Sequence, residues 1–140
     1  MTPKCENTPD ADSDVDATID RLEHVLGHRF TRRELIERAL VHRSWAYEKG
    51  RPGEDSESME FLGDAVLALA VSRMLFTRMG DEQVGDLARA RAFLVSEESL
   101  AAKARQIDLG RHLRLGRGEE KMGGRGKDSL LADGLEAVLA

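Results

Sequence analysis

The stretch Glu57–Ala70, ESMEFLGDAVLALA, decides how the rest of this 140-residue chain is read. It is apolar almost all the way round, as expected of a helix bound for a core, yet it carries Glu57, Glu60 and Asp64. At roughly 100° per residue these three carboxylates fall within an arc of about 60°, and the same stripe continues into Leu67, Val71 and Leu75. One helix face thus passes from acidic to apolar. Clustered carboxylates at the edge of a core repel one another unless a cation compensates. A hard divalent ion such as Mg²⁺, held by oxygen ligands, meets that need.

Outward from this helix the chain reads as all-α. On the N-terminal side, TIDRLEHVLG places Ile19, Leu22, Val25 and Leu26 on one face and stops at Gly27. FTRRELIERALVHRSW follows as a helix, with Thr31 and Glu34 as a capping box and Phe30 with Leu35 as a staple. YEKGRPGEDS is a loop, and Asp55 or Ser56 caps the signature helix, which runs to about Gly80. DEQVGDLARARAFLVS and SEESLAAKARQIDLG are two further helices, the second capped by Ser96 and ending before Gly110. RHLRLGRGEEKMGGRGK reads as a glycine-rich basic loop, and DSLLADGLEAVLA as a last helix. Its ending in an apolar run, without a cap, predicts a fragment of a longer chain or an end packed on another subunit. β-Branched and aromatic residues alternate too rarely for a sheet.

The last helix supplies a second acidic pair, Asp133 and Glu136, three residues apart and so on one face. If the two helices pack together, Glu60, Asp64, Asp133 and Glu136 can surround one or two ions. Such a centre activates water and stabilises a leaving oxygen in phosphodiester hydrolysis. A carboxylate-bridged di-iron bundle would need Glu-x-x-His motifs, and neither Glu60 nor Glu136 begins one.

The net charge of −5 is unevenly placed. Residues 1–20 carry six acids against Lys4 alone, and the remaining chain is neutral. Residues 103–127 carry eight bases against three acids, the layout of an enzyme acting on a polyanion. We therefore expect a disordered acidic tail over residues 1–17 and one domain over 18–140. The single cysteine, Cys5, excludes an intramolecular disulfide, which fits a reducing compartment. No stretch has the length of a membrane span or a signal peptide, so a soluble, cytoplasmic protein is expected.

ESMEFLGDAVLALAV resembles the signature of the ribonuclease III family, and DSLLADGLEAVLA resembles its second acidic motif. ALVHRSWA, ARAFLVSEESLAAKAR and LRLGRGEEKMGGRGKDS occur in the expected order, so the resemblance covers roughly residues 20–140. It implies a homodimeric endonuclease fold that cuts double-stranded RNA with Mg²⁺, or Mn²⁺ in its place, leaving 5′-phosphate and 3′-hydroxyl ends in rRNA and mRNA maturation. It implies that Glu60, Asp64, Asp133 and Glu136 are the metal carboxylates, with Asp64 and Glu136 the catalytic pair. Glu57 matches an auxiliary acidic position, and Phe61 an aromatic that contacts the partner subunit. His42, Arg43 and Ser44 match a helix-end motif supporting the signature helix. The basic segment, with Arg111, Arg114, Arg117, Lys121, Arg125 and Lys127, is the expected RNA-backbone contact, since A-form RNA is read through shape and phosphates. Ser56, Ser58, Val84 and Gly134 depart from the family pattern; the serines are expected to loosen the start of the signature helix and Gly134 to soften the last one. Bacterial members normally continue past this motif into another helix and a double-stranded-RNA-binding domain. The competing reading is a catalytically silent RNA-binding scaffold of the same family. Four like charges kept together beside RNA phosphates argue against it.

Overall fold

The computed structural model describes residues 11–140, which fall into two units divided between Glu37 and Arg38. In the first unit, α1 runs Ala11–Leu26 and ends at Gly27, whose φ of 63° is the left-handed conformation glycine adopts freely. The N-terminal tail thus differs from expectation: residues 11–17 are helical, while residues 1–10 lie outside the described residues. Arg33 pairs with Asp16 at 2.9 Å and Asp20 at 3.5 Å, one turn apart on α1, although all three side chains are exposed and such pairs add little. Ile19 and Leu22 are fully buried, as their spacing predicts.

A break appears where the sequence reads as continuous helix. Helix α2 spans Arg33–Ala39, and α3 begins only at Arg43. Between them Val41 forms an isolated parallel bridge with Arg114, in which Arg114 N–H donates to Leu40 O at 2.8 Å and His42 N–H to Arg114 O at 3.0 Å. His42 then starts α3 (Arg43–Glu48) as its N-cap, its ring accepting from Ser44 N–H. A long-range backbone pairing has overridden the local helical pattern.

Helix α4, Glu57–Met79, is the signature helix, stopped by Gly80 at φ 55°. Ser56 stands at its N-cap without a side-chain bond; the buried Asp55 does the capping, accepting from Glu57 N–H at 3.1 Å. Nor is this end loose. Arg38 reaches across to donate to Asp55 O (2.8 Å), Gly53 O (3.1 Å) and Ser58 Oγ (3.2 Å). Helices α5 (Val84–Leu94) and α6 (Glu97–Gln106) follow, with Ser96 capping α6 as predicted. The central position belongs to α9, Asp128–Leu139, which packs on both α4 and α6 and buries Leu131, Ala132, Gly134, Leu135, Ala137 and Val138. By contrast α4 buries only Gly63 and Leu75 and leaves Phe61, Leu62, Leu69 and Phe76 exposed.

The segment expected as a loop after Gly110 is ordered into α7 (Leu109–His112), α8 (Arg117–Lys121) and a 3₁₀ turn at Gly124–Gly126. Gly110 lies inside α7; the turn before it is made by Asp108 at φ 54°, a conformation Asp tolerates. Arg125 ties the segment together. Its Nη1 donates to the carbonyls of Gly110 (3.0 Å), Arg111 (3.1 Å) and Leu113 (2.7 Å), and its other nitrogens grip Glu120. Helix-terminal carbonyls lack intrahelical partners, so a guanidinium fork substitutes for the missing turn. Arg125→Ala is expected to destabilise the chain by about 2 kcal/mol, because hydrogen bonds to a charged group are lost from partly buried carbonyls. Arg125→Lys, with one point charge in place of the fork, is expected to recover less than half. Urea denaturation of the three proteins checks both.

Candidate metal centre

Helices α4 and α9 meet backbone to backbone at Gly63. A Cβ placed there would lie 1.8 Å from the Glu136 carbonyl oxygen and 2.4 Å from its carbon, so only glycine permits this approach. Glu60 and Asp64 flank Gly63 on α4, and Asp133 precedes Glu136 by one turn on α9. The close crossing therefore brings the two acidic pairs of the sequence into one place.

Glu60, Asp133 and Glu136 converge: each offers a carboxylate oxygen, and these lie within 4.8 Å of one another. All three are half-buried. Burial is the largest cause pushing each carboxyl above its ordinary range, and neighbouring negative charge adds to it. Glu136 is pushed up to about 7, first by burial and then by Asp64, Asp133 and Glu60. Glu60 is raised by burial, then by Asp133 and Glu57; Asp133 is raised by burial and Glu97, with His42 acting the other way. Asp64 stands outside the group of three. It is exposed, but among neighbouring charges its effect on Glu136 is the largest.

An all-carboxylate donor set, half-open to solvent and crowded enough to hold protons, fits a hard divalent cation that keeps part of its water. A bound cation or a bound proton relieves the same repulsion, and this gives a pH prediction. Since Glu136 titrates higher folded than its ordinary 4.5, its proton favours the folded state. Its contribution is complete below 4.5 and is lost as pH rises through about 7. Without metal, the Tm is therefore expected to fall between about pH 5 and about pH 8, and added Mg²⁺ to restore it most at the alkaline end. Thermal melts in chelator and in Mg²⁺ across that range measure it.

The other predicted residues are dispersed. Glu57 is exposed at the start of α4, 3.2 Å from Arg43. Phe61 points away from the chain's own core, at 83 % exposure. Arg111, Arg117 and Lys121 are exposed, Arg117 sitting 3.1 Å from Glu48. Arg114 lies over the Trp45 ring, 5.4 Å from its centroid. Arg125 and Lys127 are engaged within the chain, Arg125 as described and Lys127 with Glu119. Gly134, expected to soften α9, is buried there with Leu109 and Leu113 around it: a Cβ would meet Leu113 Cδ2 at 3.0 Å.

Two of the clustered carboxylates, Glu60 and Asp133, line a cleft of about 430 Å³ together with His42, Arg43, Glu57, Glu119 and Lys127. Glu119 was not singled out in the sequence, and Arg43 only as part of the helix-end motif. Glu119 reads as a stray acid in a basic run, and nothing local signals that it pairs with Lys127 at the mouth of a cleft.

The fold and its carboxylate cluster define a helical domain built around a candidate divalent-metal site. A family model described as Ribonuclease-III-like matches residues 32–140. Ribonuclease 3 of Geobacter metallireducens is 52% identical over 130 residues, covering 91% of this chain and 53% of that protein. Ribonuclease 3 of Nitratidesulfovibrio vulgaris is 51% identical, covering 86% and 48%. The nuclease domain of Ribonuclase III from Campylobacter jejuni superimposes with a TM-score of 0.79 at 39% identity, over 86% of this chain and 80% of that one. The chain belongs to the ribonuclease III family. It spans about half the length of the curated relatives it matches. Among the described residues no helix is long and apolar enough to cross a membrane.

Proposed function

We propose that this chain is a Mg²⁺-dependent endoribonuclease domain, with Mn²⁺ as a substitute, which hydrolyses double-stranded RNA to 5′-phosphate and 3′-hydroxyl ends in cytoplasmic rRNA and mRNA maturation. The observation that carries this reading is the convergence of Glu60, Asp133 and Glu136, with Asp64 alongside, across the Gly63 crossing. These four carboxylates hold the ion. When bound, the ion lowers the pKa of a coordinated water and neutralises charge on the phosphate. Glu136 loses its proton as metal enters, and Asp64, at the open side, faces the arriving strand. Arg111, Arg117 and Lys121 are exposed and suited to backbone phosphates; Arg114, Arg125 and Lys127 reach RNA only by leaving their partners in the chain.

The reading includes a homodimer. Phe61, Leu62, Leu69 and Phe76 leave α4 with an exposed apolar face larger than a monomer ordinarily keeps. One Campylobacter jejuni structure is described as flexible in a region involved in dimer formation. The test is incubation of a perfect RNA duplex with the chain and Mg²⁺ at low salt, beside Asp64→Asn and Glu136→Gln. Cleavage that needs the ion and both side chains supports the proposal; an intact duplex with the unaltered chain, folded and dimeric, refutes it.

A further inference from the structure

The cleft beside the carboxylates contains a histidine whose tautomer is fixed. His42 Nδ1 receives Ser44 N–H at 3.2 Å and lies 2.7 Å from Ser44 Oγ. That hydroxyl accepts from Gly116 N–H at 2.8 Å, so its own proton is free to point at Nδ1. A ring nitrogen facing two donors acts as acceptor and carries no proton. In the neutral ring the proton is therefore on Nε2. Burial, the largest influence on His42, pushes its pKa down, while the nearby Glu119, Asp133 and Glu57 push it up.

Capping alone does not explain a histidine here. Asn, Asp or Ser caps a helix better, but none carries a second donor on the far side of a ring. The cleft this ring lines already commits its charged groups: Arg43 to Glu57, Lys127 to Glu119, and Glu60 and Asp133 to the carboxylate cluster. A cation in place of His42 would pair with Asp133 and compete with the metal. A neutral N–H donor does neither, and still offers a hydrogen bond to an anion.

Building on the nuclease reading, we propose that His42 Nε2–H donates to a non-bridging oxygen of an RNA backbone phosphate beside the one at the metal, with Ser44 and Gly116 fixing the tautomer. His42 is then a substrate-binding residue, and Ser44 a positioning residue.

His42→Asn separates the two roles. Its amide oxygen still caps α3, while no donor remains where Nε2 stood. In the full chain the variant is expected to melt close to the unaltered protein. Its KM for an RNA duplex is expected to rise about tenfold or more, the scale of one hydrogen bond to a charged group, with kcat little changed. Two-bond ¹H–¹⁵N NMR of the unaltered chain is expected to show Nε2 protonated and Nδ1 bare, and Ser44→Ala to mix the tautomers and raise KM in part. Three results overturn the proposal while leaving the nuclease reading intact: an unchanged KM in His42→Asn, a fall in kcat alone, or a proton on Nδ1. Failure of the unaltered chain to cut the duplex sinks the nuclease reading itself, and this inference with it.

Discussion

Gly63→Ala is expected to part helices α4 and α9 and to disable the candidate metal centre with a single methyl group. The added Cβ would fall 1.8 Å from the Glu136 carbonyl oxygen, well under the 3.0 Å that real Cβ contacts respect. The obstacle is helix backbone, which cannot rotate aside as a side-chain tip can. The helices must therefore separate by more than an ångström. Alanine returns about 1 kcal/mol of helix propensity. Overpacking at a rigid contact in the centre of the fold outweighs it, for a net loss of about 2 kcal/mol or more and a Tm lower by about 8 °C. The functional loss is larger than the stability loss. Glu60 and Asp64 belong to one helix, Asp133 and Glu136 to the other, and a shift of that size exceeds the tolerance of a coordination shell. Calorimetric Mg²⁺ titration of the folded variant is expected to show affinity reduced at least about tenfold. A variant that melts like the parent and binds Mg²⁺ as well would show that the close crossing does not shape the site.

Removing a carboxylate is expected to have opposite effects on activity and on metal-free stability. Glu136→Gln deletes the most crowded of the four acids, the one pushed up to about 7 by burial, Asp64, Asp133 and Glu60. Without metal the substitution relieves repulsion, so the Tm in chelator at neutral pH is expected to rise. With Mg²⁺ the order is expected to reverse, because under the proposed function the parent gains binding energy that the variant forfeits. Under the proposed function, a metal ligand worth several kcal/mol of transition-state stabilisation is lost, so kcat is expected to fall about 10³-fold or more. Asp64→Asn is expected to match that loss of activity with a smaller gain in stability, since Asp64 is exposed and sheds less desolvation. Melting curves with and without Mg²⁺, beside single-turnover cleavage, separate the two effects. A Glu136→Gln protein less stable than its parent in chelator would mean that the carboxylate is held by partners rather than strained by neighbours.

Local patterns carried far in this chain. The 3.6-residue spacing of Ile19 and Leu22 on α1, the Ser96 cap on α6, the glycine stop at Gly80 and the i, i+3 acidic pairs depend only on residues within a turn or two of one another. Such signals survive in a linear sequence. The break at Val41 is of another kind: its cause is Arg114, more than seventy residues away, and nothing in ALVHRSW announces the bridge. The segment 109–127 has the composition of a loop, and becomes structure because the Arg125 guanidinium, 12 to 15 residues further along, gathers three carbonyls that come within its reach only after folding. Glu119 acquired a place in the cleft in the same way.

The sequence by itself determined an all-α chain and the two acidic motifs, because helical periodicity is a local property. Tertiary structure alone decided that α9 rather than the signature helix occupies the centre, and that Glu60, Asp133 and Glu136 meet while Asp64 stands at the open side. Each depends on which surfaces can approach: α9 is lined with small and aliphatic residues that accept neighbours on two sides, and Gly63 removes the one side chain that would have kept the two acidic pairs apart.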